Sequence, residues 1–243
     1  IVCHESKDVT KKFLGKPLVN SIVLQTVTEN DVLCLLNNMS IRKATGSDGI
    51  PARVWKENAT FFTPALTMLI NDILENGIYP DILKIASIKP IHKSGSRTNV
   101  DNYRAISLLP TINKVIEKIL YEQIEGFTSR YKQYDELQYG YRNHYGTQDA
   151  LCKLLTIVSK ALDKKKYVVA VFLDISKAFD SLNHDMLLFK LENMGIRGIA
   201  LQLITQYLMN RHQFVRISDA VSLACLILKG VPQGSNLGPL LFN

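Results

Sequence analysis

The sequence predicts an α+β fold in which helices pack behind a small antiparallel sheet. Two observations lead to this expectation. Segments with apolar residues at helical spacing are the more numerous, whereas the short apolar runs typical of strands are few and bounded by turn residues. With 243 residues, 47% of them apolar, the chain is long enough to bury a sizeable core. We therefore expect a globular protein.

Charge and cysteine content restrict the partners and the compartment. The chain carries 29 basic and 22 acidic residues, and its formal net charge of +7 favours an anionic partner. The 4 cysteines lie far apart without paired spacing, which predicts neither a zinc site nor a disulfide framework and favours a reducing environment. No apolar stretch approaches the roughly 20 residues of a membrane span, so we expect no membrane partner.

The first predicted elements are two helices. Thr28 and Asp31 are spaced as a capping box with Asp in place of Glu, which predicts a helix over residues 32–39. Further along, Thr63-Pro64 supplies a cap and a first-position proline, and Gly77 supplies a left-handed stop. These signals predict a second helix over residues 65–75.

A β-hairpin and a third helix come next. Two short apolar runs, residues 85–91 and 103–109, are joined by a polar stretch that contains several cations. This pattern predicts a hairpin with a basic tip. Thr111 is expected to cap a helix over residues 112–124, and Gly126 to end it.

The centre of the chain is predicted to be a helix followed by a buried strand. Apolar spacing predicts the helix over residues 147–162, where a lysine run suits the negative C-terminal end. Residues 167–173 are β-branched and apolar on both faces, which predicts a central strand buried on both sides. That strand would end on the carboxylate of Asp174.

The last quarter is predicted to contain two helices and a second hairpin. The helices are expected near residues 184–194 and 199–209, and the hairpin over residues 213–217 and 222–228. The hairpin leads into the glycine-containing stretch 229–235, and the first turns of a further helix are expected after it.

Asp174 is the first candidate for chemistry. A strand that ends on one carboxylate, with the aromatic Phe179 five positions beyond it, is typical of the floor of a nucleotide polymerase site. Mg²⁺ prefers hard oxygen ligands, so Asp174 with the backbone carbonyl of Ile175 would form half of a metal site. The alternative is a capping or salt-bridged carboxylate in a strand-to-helix turn. Asp180 is explained by turn or cap chemistry, and we do not predict it to be a ligand.

Two other segments carry candidate binding groups. Gly234 allows a close backbone approach beside the amide of Gln233, which can hydrogen-bond a nucleotide. Taken alone, however, this loop is better explained as a loop-to-helix connection capped by Ser235. On the first hairpin, Lys93 and Arg104 could clamp a triphosphate. The alternative there is a solvated surface hairpin.

Six motifs taken together resemble the reverse transcriptase domain of non-LTR (LINE-type) retrotransposons. They occur in the order of that family across nearly the whole chain: Lys43-Ala-Thr-Gly-Ser-Asp-Gly-Ile50, Ile88-Lys-Pro-Ile-His-Lys93, Asn102-Tyr-Arg-Ala-Ile-Ser-Leu-Leu109, Gln138-Tyr-Gly-Tyr-Arg142, Phe172-Leu-Asp-Ile-Ser-Lys-Ala-Phe-Asp180 and Gly230-Val-Pro-Gln-Gly-Ser-Asn-Leu-Gly-Pro-Leu-Leu-Phe242. One such match is a weak signal, whereas six in order are specific.

The resemblance implies the fingers and a partial palm of a right-hand polymerase. Residues 1–82 would be an N-terminal helical extension leading into the fingers, 83–166 the fingers, and 167–243 a palm that ends before the aromatic-Ala-Asp-Asp hairpin and the thumb. The implied partners are an RNA template, a DNA primer and deoxynucleoside triphosphates, with an upstream endonuclease domain in the parent protein. We expect that protein to act in the nucleus and the cytoplasm.

The resemblance also implies a role for each candidate residue. Two Mg²⁺ ions would act in the intact enzyme, and this chain would lack two of the catalytic carboxylates and be inactive alone. The matching positions are Asp174 with Ile175 for the first metal, Phe179 under the incoming sugar, Gln233 and Gly234 beside the nascent base pair, and Lys93 and Arg104 near the triphosphate.

Departures from the family pattern leave alternatives open. Ser47 and Ala105 stand where the family usually has proline, which softens rigid turns without removing a functional group. A group II intron maturase or a viral RNA-dependent polymerase would share the same palm arrangement. A decayed or domesticated fragment that only binds RNA is the alternative of another class.

Overall fold

The computed structural model describes residues 16–243. The N-terminal part consists of α1 (Glu29–Asn37), α2 (Ala52–Glu57) and α3 (Ala59–Asn76). The capping box of α1 is confirmed, because the Thr28 hydroxyl accepts a hydrogen bond from the Asp31 amide at 3.3 Å. In return, the Asp31 carboxylate accepts one from the Thr28 amide at 2.8 Å. Cys3, one of the cysteines considered above, lies outside the described residues.

Helix α3 begins six residues before the predicted start. The sequence signals placed its cap at Thr63, but Ala59 is the first helical residue and Pro64 lies inside the helix. Ala59 and Thr63 are both buried, and the Thr63 hydroxyl donates to the Ala59 carbonyl at 2.8 Å. Burial of this first turn outweighs the hydrogen bond that proline cannot donate. The predicted stop is confirmed, since Gly77 adopts a left-handed φ of 66°.

The sheet is built on the predicted hairpin. β1 (Ile85–His92) and β2 (Tyr103–Leu108) pair antiparallel, from Ser87 opposite Leu108 to His92 opposite Tyr103. The predicted second hairpin is also present, as β3 (Arg211–Ile217) followed by β4 (Ala220–Val221) and β5 (Cys225–Ile227), both antiparallel to β3.

One pairing makes the sheet mixed rather than antiparallel throughout. β3 runs parallel to β1, with Ile85 opposite His212 and Ile88 opposite Val215, and the strand order is β2-β1-β3-β4. Local patterns carry no signal for a pairing between strands more than 100 residues apart along the chain. The predicted α+β class is confirmed, with helices packed around a small sheet.

Helix α4 (Asn113–Arg130) begins one residue after its predicted start and extends beyond its predicted end at residue 124. Thr111 does not cap it, because its hydroxyl donates to the Ile50 carbonyl at 3.0 Å. Gly126 does not end it, because the chain remains helical while Thr128 is buried and donates to the Ile124 carbonyl at 3.0 Å. The burial gained after Gly126 exceeds the helix-propensity cost of glycine, about 1 kcal/mol.

The remaining helices are α5 (Thr147–Asp163), the short α6 (Ala178–Ser181), α7 (His184–Asn193), α8 (Gly198–Leu208) and α9 (Leu237–Phe242). Four of these five helices lie close to their predicted positions, whereas α6 was not predicted. The main hydrophobic cluster joins α1, α3, α4, α7, α8 and α9, and a small second cluster lies on β1. In contrast, α5 buries none of its residues. No helix within residues 16–243 is both long and apolar enough to cross a membrane.

The predicted central strand over residues 167–173 is wrong. This segment has no regular secondary structure, and its apolar side chains are exposed, with Tyr167 at 100% and Leu173 at 91%. A strand needs a partner for its backbone N–H and C=O groups, and none of the strands β1 to β5 pairs with this run. The apolar pattern indicated a capacity for burial, but it did not identify what would cover the segment.

Candidate active site

A cleft of about 710 Å³ separates the β1–β2 hairpin from the loop over residues 230–236. It brings together most of the residues that the sequence singled out from four different motifs. The predicted residues that line it are Lys93, Arg104, Phe179, Gln233 and Gly234.

The loop over residues 230–236, here called the Gln233 loop, is fixed at its start by Gly230. The Gly230 amide donates to the Leu182 carbonyl at 2.7 Å, and the Val231 amide donates to the Phe179 carbonyl at 2.8 Å. Gly230 has a φ of 88°, and a Cβ there would lie 2.7 Å from the Phe179 carbonyl oxygen. Only glycine fits this approach of two backbones.

The same loop is fixed on its other side to β2. The Ser107 amide donates to the Gln233 carbonyl at 2.9 Å. Gly234 has a φ of 114°, and a Cβ there would lie 3.2 Å from the Ser107 carbonyl oxygen. The close backbone approach expected at Gly234 therefore takes place, and its partner is strand β2. The loop joins the two walls of the cleft.

Ser235 ends the loop as the connection to α9. Its hydroxyl donates to the Pro232 carbonyl and accepts from the Gly238 amide, both at 2.9 Å. The alternative interpretation of this loop, a serine-capped entry into a helix, is thus confirmed. It is compatible with binding, because the cap leaves the Gln233 side chain in the cleft.

Gln233 and Phe179 shape the interior of the cleft. The Gln233 amide donates to Asp180 at 3.2 and 3.3 Å from the two carboxylate oxygens. The half-buried Phe179 ring packs against Phe242 at 5.0 Å and against Tyr141 at 5.8 Å between ring centroids. These contacts hold one amide and one aromatic face in fixed positions relative to each other.

Cations outnumber acids in the cleft. Lys93 and Arg104 line it, and neither forms a salt bridge with any residue in the described part of the chain. A third cation, Lys177, pairs with Asp101 at 3.1 Å, but both side chains are mostly exposed, so the pair contributes little stability. The free charges on the hairpin side favour an anionic ligand.

Sequence reasoning missed several residues of this site. It assigned Asp180 to turn chemistry, and it quoted Lys177 and Tyr141 only as parts of motifs, yet all three line the cleft. It assigned no role to the histidines, whereas the buried His184 donates from Nε2 to the Gly230 carbonyl at 2.7 Å and so holds the Gln233 loop. A histidine one position after a helix cap was the only local signal for that contact.

Asp174 and Ile175 lie apart from this assembly. Both are exposed in the irregular segment that precedes α6, and neither lines the cleft. Within residues 16–243, no group of three His, Cys, Asp or Glu side chains is arranged to hold a metal ion. The described residues therefore do not form a two-ion site.

A buried carboxylate supports the Gln233 loop from below. Glu117 on α4 is fully buried and accepts hydrogen bonds from the Asn236 amide at 2.6 Å, the Tyr207 hydroxyl at 2.9 Å and the Asn113 side-chain amide at 2.9 Å. Burial raises the pKa of Glu117, and the hydrogen bonds from Asn236 and Tyr207 partly offset that rise.

The network extends from Glu117 to the sheet. The Tyr79 hydroxyl donates to the Asn113 side chain, and the buried Arg211 donates to the Tyr207 carbonyl at 2.8 Å while its guanidinium lies 4.9 Å from the Tyr207 ring centroid. Burial raises the pKa of Tyr79 and of Tyr207. Helices α4 and α8, strand β3 and the Gln233 loop are thereby linked through polar groups that have no access to water.

A basic hairpin that faces a glycine-containing loop and an aromatic side chain is compatible with the nucleotidyltransferase class. Residues 91–243 match the family described as reverse transcriptase (RNA-dependent DNA polymerase), and the chain belongs to this family. The resemblance inferred from the six motifs is confirmed.

The similar proteins come from mobile elements. The chain is 32% identical over 234 residues to the RNA-directed DNA polymerase from mobile element jockey of Drosophila melanogaster, covering 96% of this chain and 25% of that protein. It is 28% identical to the probable RNA-directed DNA polymerase from transposon BS of the same species, covering 98% and 26%. The chain thus spans about a quarter of the length of these curated relatives.

Part of the chain is also similar to another mobile-element protein, and most of it matches a chain of one solved structure. The Pol polyprotein from type-1 retrotransposable element R2 of Popillia japonica is 29% identical, covering 63% of this chain and 21% of that protein. A chain of a partial Cas6-RT-Cas1–Cas2 complex matches 90% of this chain and 32% of its own length, with 16% identity and a TM-score of 0.46.

Proposed function

We propose that this chain provides the nucleotide-binding part of an RNA-directed DNA polymerase of a non-LTR retrotransposon. The observation that carries the proposal is the cleft in which Lys93, Arg104, Phe179 and Gln233 meet. These residues come from four motifs of the family in the sequence, and they line one cavity with unpaired cations on one side. A deoxynucleoside triphosphate has the charge and the shape that such a cavity favours.

Each residue has a distinct task in this proposal. Lys93 and Arg104 bind the triphosphate, Phe179 packs under the sugar and excludes a 2′-hydroxyl, and Gln233 with Gly234 lies beside the nascent base pair. The primer 3′-hydroxyl attacks the α-phosphate, the new bond forms between that oxygen and phosphorus, and pyrophosphate leaves. The RNA template and the DNA primer would be the partners of the longer protein.

Asp174, with the carbonyl of Ile175, is proposed as the first metal-binding group of the longer protein. The residues described here supply only this carboxylate of the family's metal-binding set, so two Mg²⁺ ions would need further carboxylates from other parts of the protein. We propose that the same parts pair with residues 167–173 and convert them into the strand that their composition favours. We expect that the residues described here do not extend a primer by themselves, because one carboxylate does not hold two Mg²⁺ ions.

The proposed organisation follows the motifs. Residues 1–82 lead into the fingers, 83–166 form the fingers and 167–243 form part of the palm. An endonuclease domain would precede them in the parent protein, which would act in the nucleus and the cytoplasm. Cys34, Cys152 and Cys225, the described cysteines, are free and exposed, which agrees with a reducing compartment.

Primer extension on an RNA template by the longer protein tests the catalytic assignment. Asp174→Asn should abolish extension and leave template binding nearly unchanged, because it removes charge and not volume. Asp219→Asn, an exposed carboxylate on the β3–β4 turn, is the matched control and should extend normally. An Asp174→Asn protein that still copies RNA would refute the assignment.

Sugar selection tests the role of Phe179. Phe179→Ala should admit ribonucleotides, whereas Phe61→Ala, on the exposed face of α3, should leave the preference for deoxynucleotides unchanged. Equal sugar preference in both variants would remove Phe179 from the proposed role.

A second function, RNA binding without catalysis, is favoured by one observation: the absence of a three-carboxylate group among residues 16–243. It predicts RNA affinity with a steep salt dependence and no metal-dependent synthesis, even in the longer protein. The primer-extension experiment separates the two functions.

A further inference from the structure

One of the six motifs, Gln138-Tyr-Gly-Tyr-Arg142, contributes none of the residues that have a task in the proposed function. It lies in the connection between α4 and α5, and residues 138–142 are here called the tyrosine loop. Tyr141 of this loop lines the cleft together with Phe179. Its side chain is 59% exposed, so burial in the core does not account for its place there.

The Phe179 ring contacts two other aromatic rings. The Tyr141 ring approaches it edge-on, at an angle of 85° and with 5.8 Å between the centroids. The Phe242 ring packs against it at 5.0 Å with a tilt of 34°. The backbone of Phe179 is fixed separately, because its carbonyl accepts from the Val231 amide at 2.8 Å. Since aromatic pairs of this geometry attract each other, the two neighbouring rings limit the rotation of the Phe179 ring.

The tyrosine loop is attached to the end of α9 by the side chain of Asn243. The Asn243 amide group donates to the Gly140 carbonyl at 2.9 Å and to the Tyr141 carbonyl at 3.1 Å. The side-chain oxygen of Asn243 accepts from the Gln138 side-chain amide at 2.9 Å. The loop and the last turn of α9, which carry the two neighbours of the Phe179 ring, are thus joined to each other.

Two residues beside Phe179 have a strained backbone. Tyr141 and Lys177 both adopt a φ of 52°, in the left-handed region that residues with a side chain rarely occupy. Of the seven non-glycine residues with positive φ within residues 16–243, these two line the cleft. Such conformations persist only where neighbouring contacts hold them, and for Tyr141 these contacts include the hydrogen bond from Asn243. Strained backbone thus lies next to Phe179 both along the chain and through the ring contact.

We propose that Tyr141 is a positioning residue for sugar selection, because its ring holds the Phe179 ring in the orientation that excludes a 2′-hydroxyl. This inference rests on the proposed function, in which Phe179 packs under the sugar of the incoming nucleotide. Tyr141 acts through Phe179, whereas the triphosphate is bound by Lys93 and Arg104 on the hairpin. Loss of the Tyr141 ring should therefore change the choice between the two sugars and leave triphosphate binding unchanged.

Single-turnover primer extension by the longer protein, with a deoxynucleotide and with the matching ribonucleotide, tests this role. The selectivity is the ratio of the two values of maximal rate divided by Kd. Tyr141→Leu should lower this ratio about two- to tenfold, which is the free energy of one aromatic pair expressed as a ratio of rates. Tyr141→Phe retains the ring and should retain the selectivity.

Tyr139→Leu is the matched control, because it changes the same residue type in the same loop. The Tyr139 ring packs against Tyr145, also with 5.8 Å between centroids, and not against Phe179. This variant should select deoxynucleotides as the unchanged protein does. Equal selectivity in Tyr141→Leu and Tyr139→Leu would overturn the proposal, and so would a Tyr141→Leu protein in which extension with both sugars slows equally.

A double variant shows whether Tyr141 acts through Phe179. If it does, Tyr141→Leu/Phe179→Ala should be as selective as Phe179→Ala alone, because the ring that Tyr141 positions is already absent. A further loss of selectivity in the double variant would show that Tyr141 acts on the sugar by itself, and it would overturn the positioning role.

Urea unfolding of the 243-residue chain tests the ring contact without catalysis. Tyr141→Leu and Phe179→Ala should be coupled by about two- to tenfold in the unfolding equilibrium constant, and strictly additive effects would overturn the contact. If Phe179→Ala admits ribonucleotides while Tyr141→Leu does not, only the role of Tyr141 is refuted. If the rings are coupled but neither variant changes sugar selection, the role of Phe179 in the proposed function fails, and that of Tyr141 fails with it.

Discussion

Replacing Glu117 by alanine should destabilise the protein by about 3–5 kcal/mol, the usual cost of removing one member of a buried charged network. The change leaves three donors without their acceptor: the Asn236 amide, the Tyr207 hydroxyl and the Asn113 side-chain amide. Tyr207 and Asn113 are fully buried, and each buried donor without a partner costs about 1–3 kcal/mol. Relief of the buried carboxylate and entry of water offset part of that sum.

Urea unfolding of the 243-residue chain, followed by circular dichroism, measures this effect. Glu117→Gln is the matched control, because it retains the side-chain size and a carbonyl oxygen that can accept from the Asn236 amide. It should cost about 1 kcal/mol, the net value of one buried hydrogen bond. The reasoning is refuted if the alanine variant unfolds at the same urea concentration as the unchanged chain, or if alanine and glutamine cost the same.

Three further predictions concern pH, glycine and the exposed segment. Burial raises the pKa of Glu117, so the folded state keeps the proton of this carboxyl above the ordinary glutamate pKa of about 4.3. The free energy of unfolding should therefore fall as the pH rises from about 4.3. Urea melts of the Glu117→Gln variant should not show this decrease. Gly230→Ala should destabilise the protein by about 1–3 kcal/mol, because Gly230 has a positive φ and close backbone contacts. Gly126→Ala lies within a helix and has no neighbours inside 4 Å, so it should stabilise the protein by about 1 kcal/mol. Equal shifts in melting temperature for the two variants would contradict this prediction. Val171→Ala in the exposed segment should change the free energy of unfolding by less than about 0.5 kcal/mol. The control Leu203→Ala, at a buried position, should lower it by about 2–5 kcal/mol. A large loss of stability in the Val171 variant would indicate that this segment is a buried strand.

Local signals predicted the elements whose stability depends on nearby residues. The capping box at Thr28, the left-handed stop at Gly77 and the β1–β2 hairpin are all confirmed, since each depends on contacts within a few residues or across one turn. The starts and stops at Thr63 and Gly126 failed, because burial of the neighbouring turn outweighed the local preference.

Long-range features could not be read in the same way. The parallel pairing of β1 with β3 joins distant parts of the chain, and the buried network around Glu117 joins two helices and the Gln233 loop. A glutamate within a helical pattern looks like a solvated surface residue until the packing is known. The segment at residues 167–173 shows the converse, because its composition favours burial and none of the five strands of the sheet covers it.

The residues of the candidate site were predicted from sequence motifs and not from the predicted helices and strands. Lys93, Arg104, Phe179, Gln233 and Gly234 were singled out from separate motifs, and the fold brings them to one cleft. The order of the motifs reflects descent from a common ancestor with the same fold. It therefore predicts which distant residues lie close together, whereas the periodicity of apolar residues does not. The site roles of these residues and of Asp174 remain predictions that kinetics must test.

The most direct test is the affinity of the longer protein for a deoxynucleoside triphosphate during single-turnover primer extension. Arg104 on β2 lines the cleft, whereas Arg97, in the connection between β1 and β2, does not line it, so Arg104→Gln and Arg97→Gln form a matched pair. The loss of a charged hydrogen bond at Arg104 should raise the Kd for the triphosphate about tenfold or more, and the Arg97 variant should bind as the unchanged protein does. Equal Kd values for both variants would contradict the assignment of this cleft as the nucleotide site.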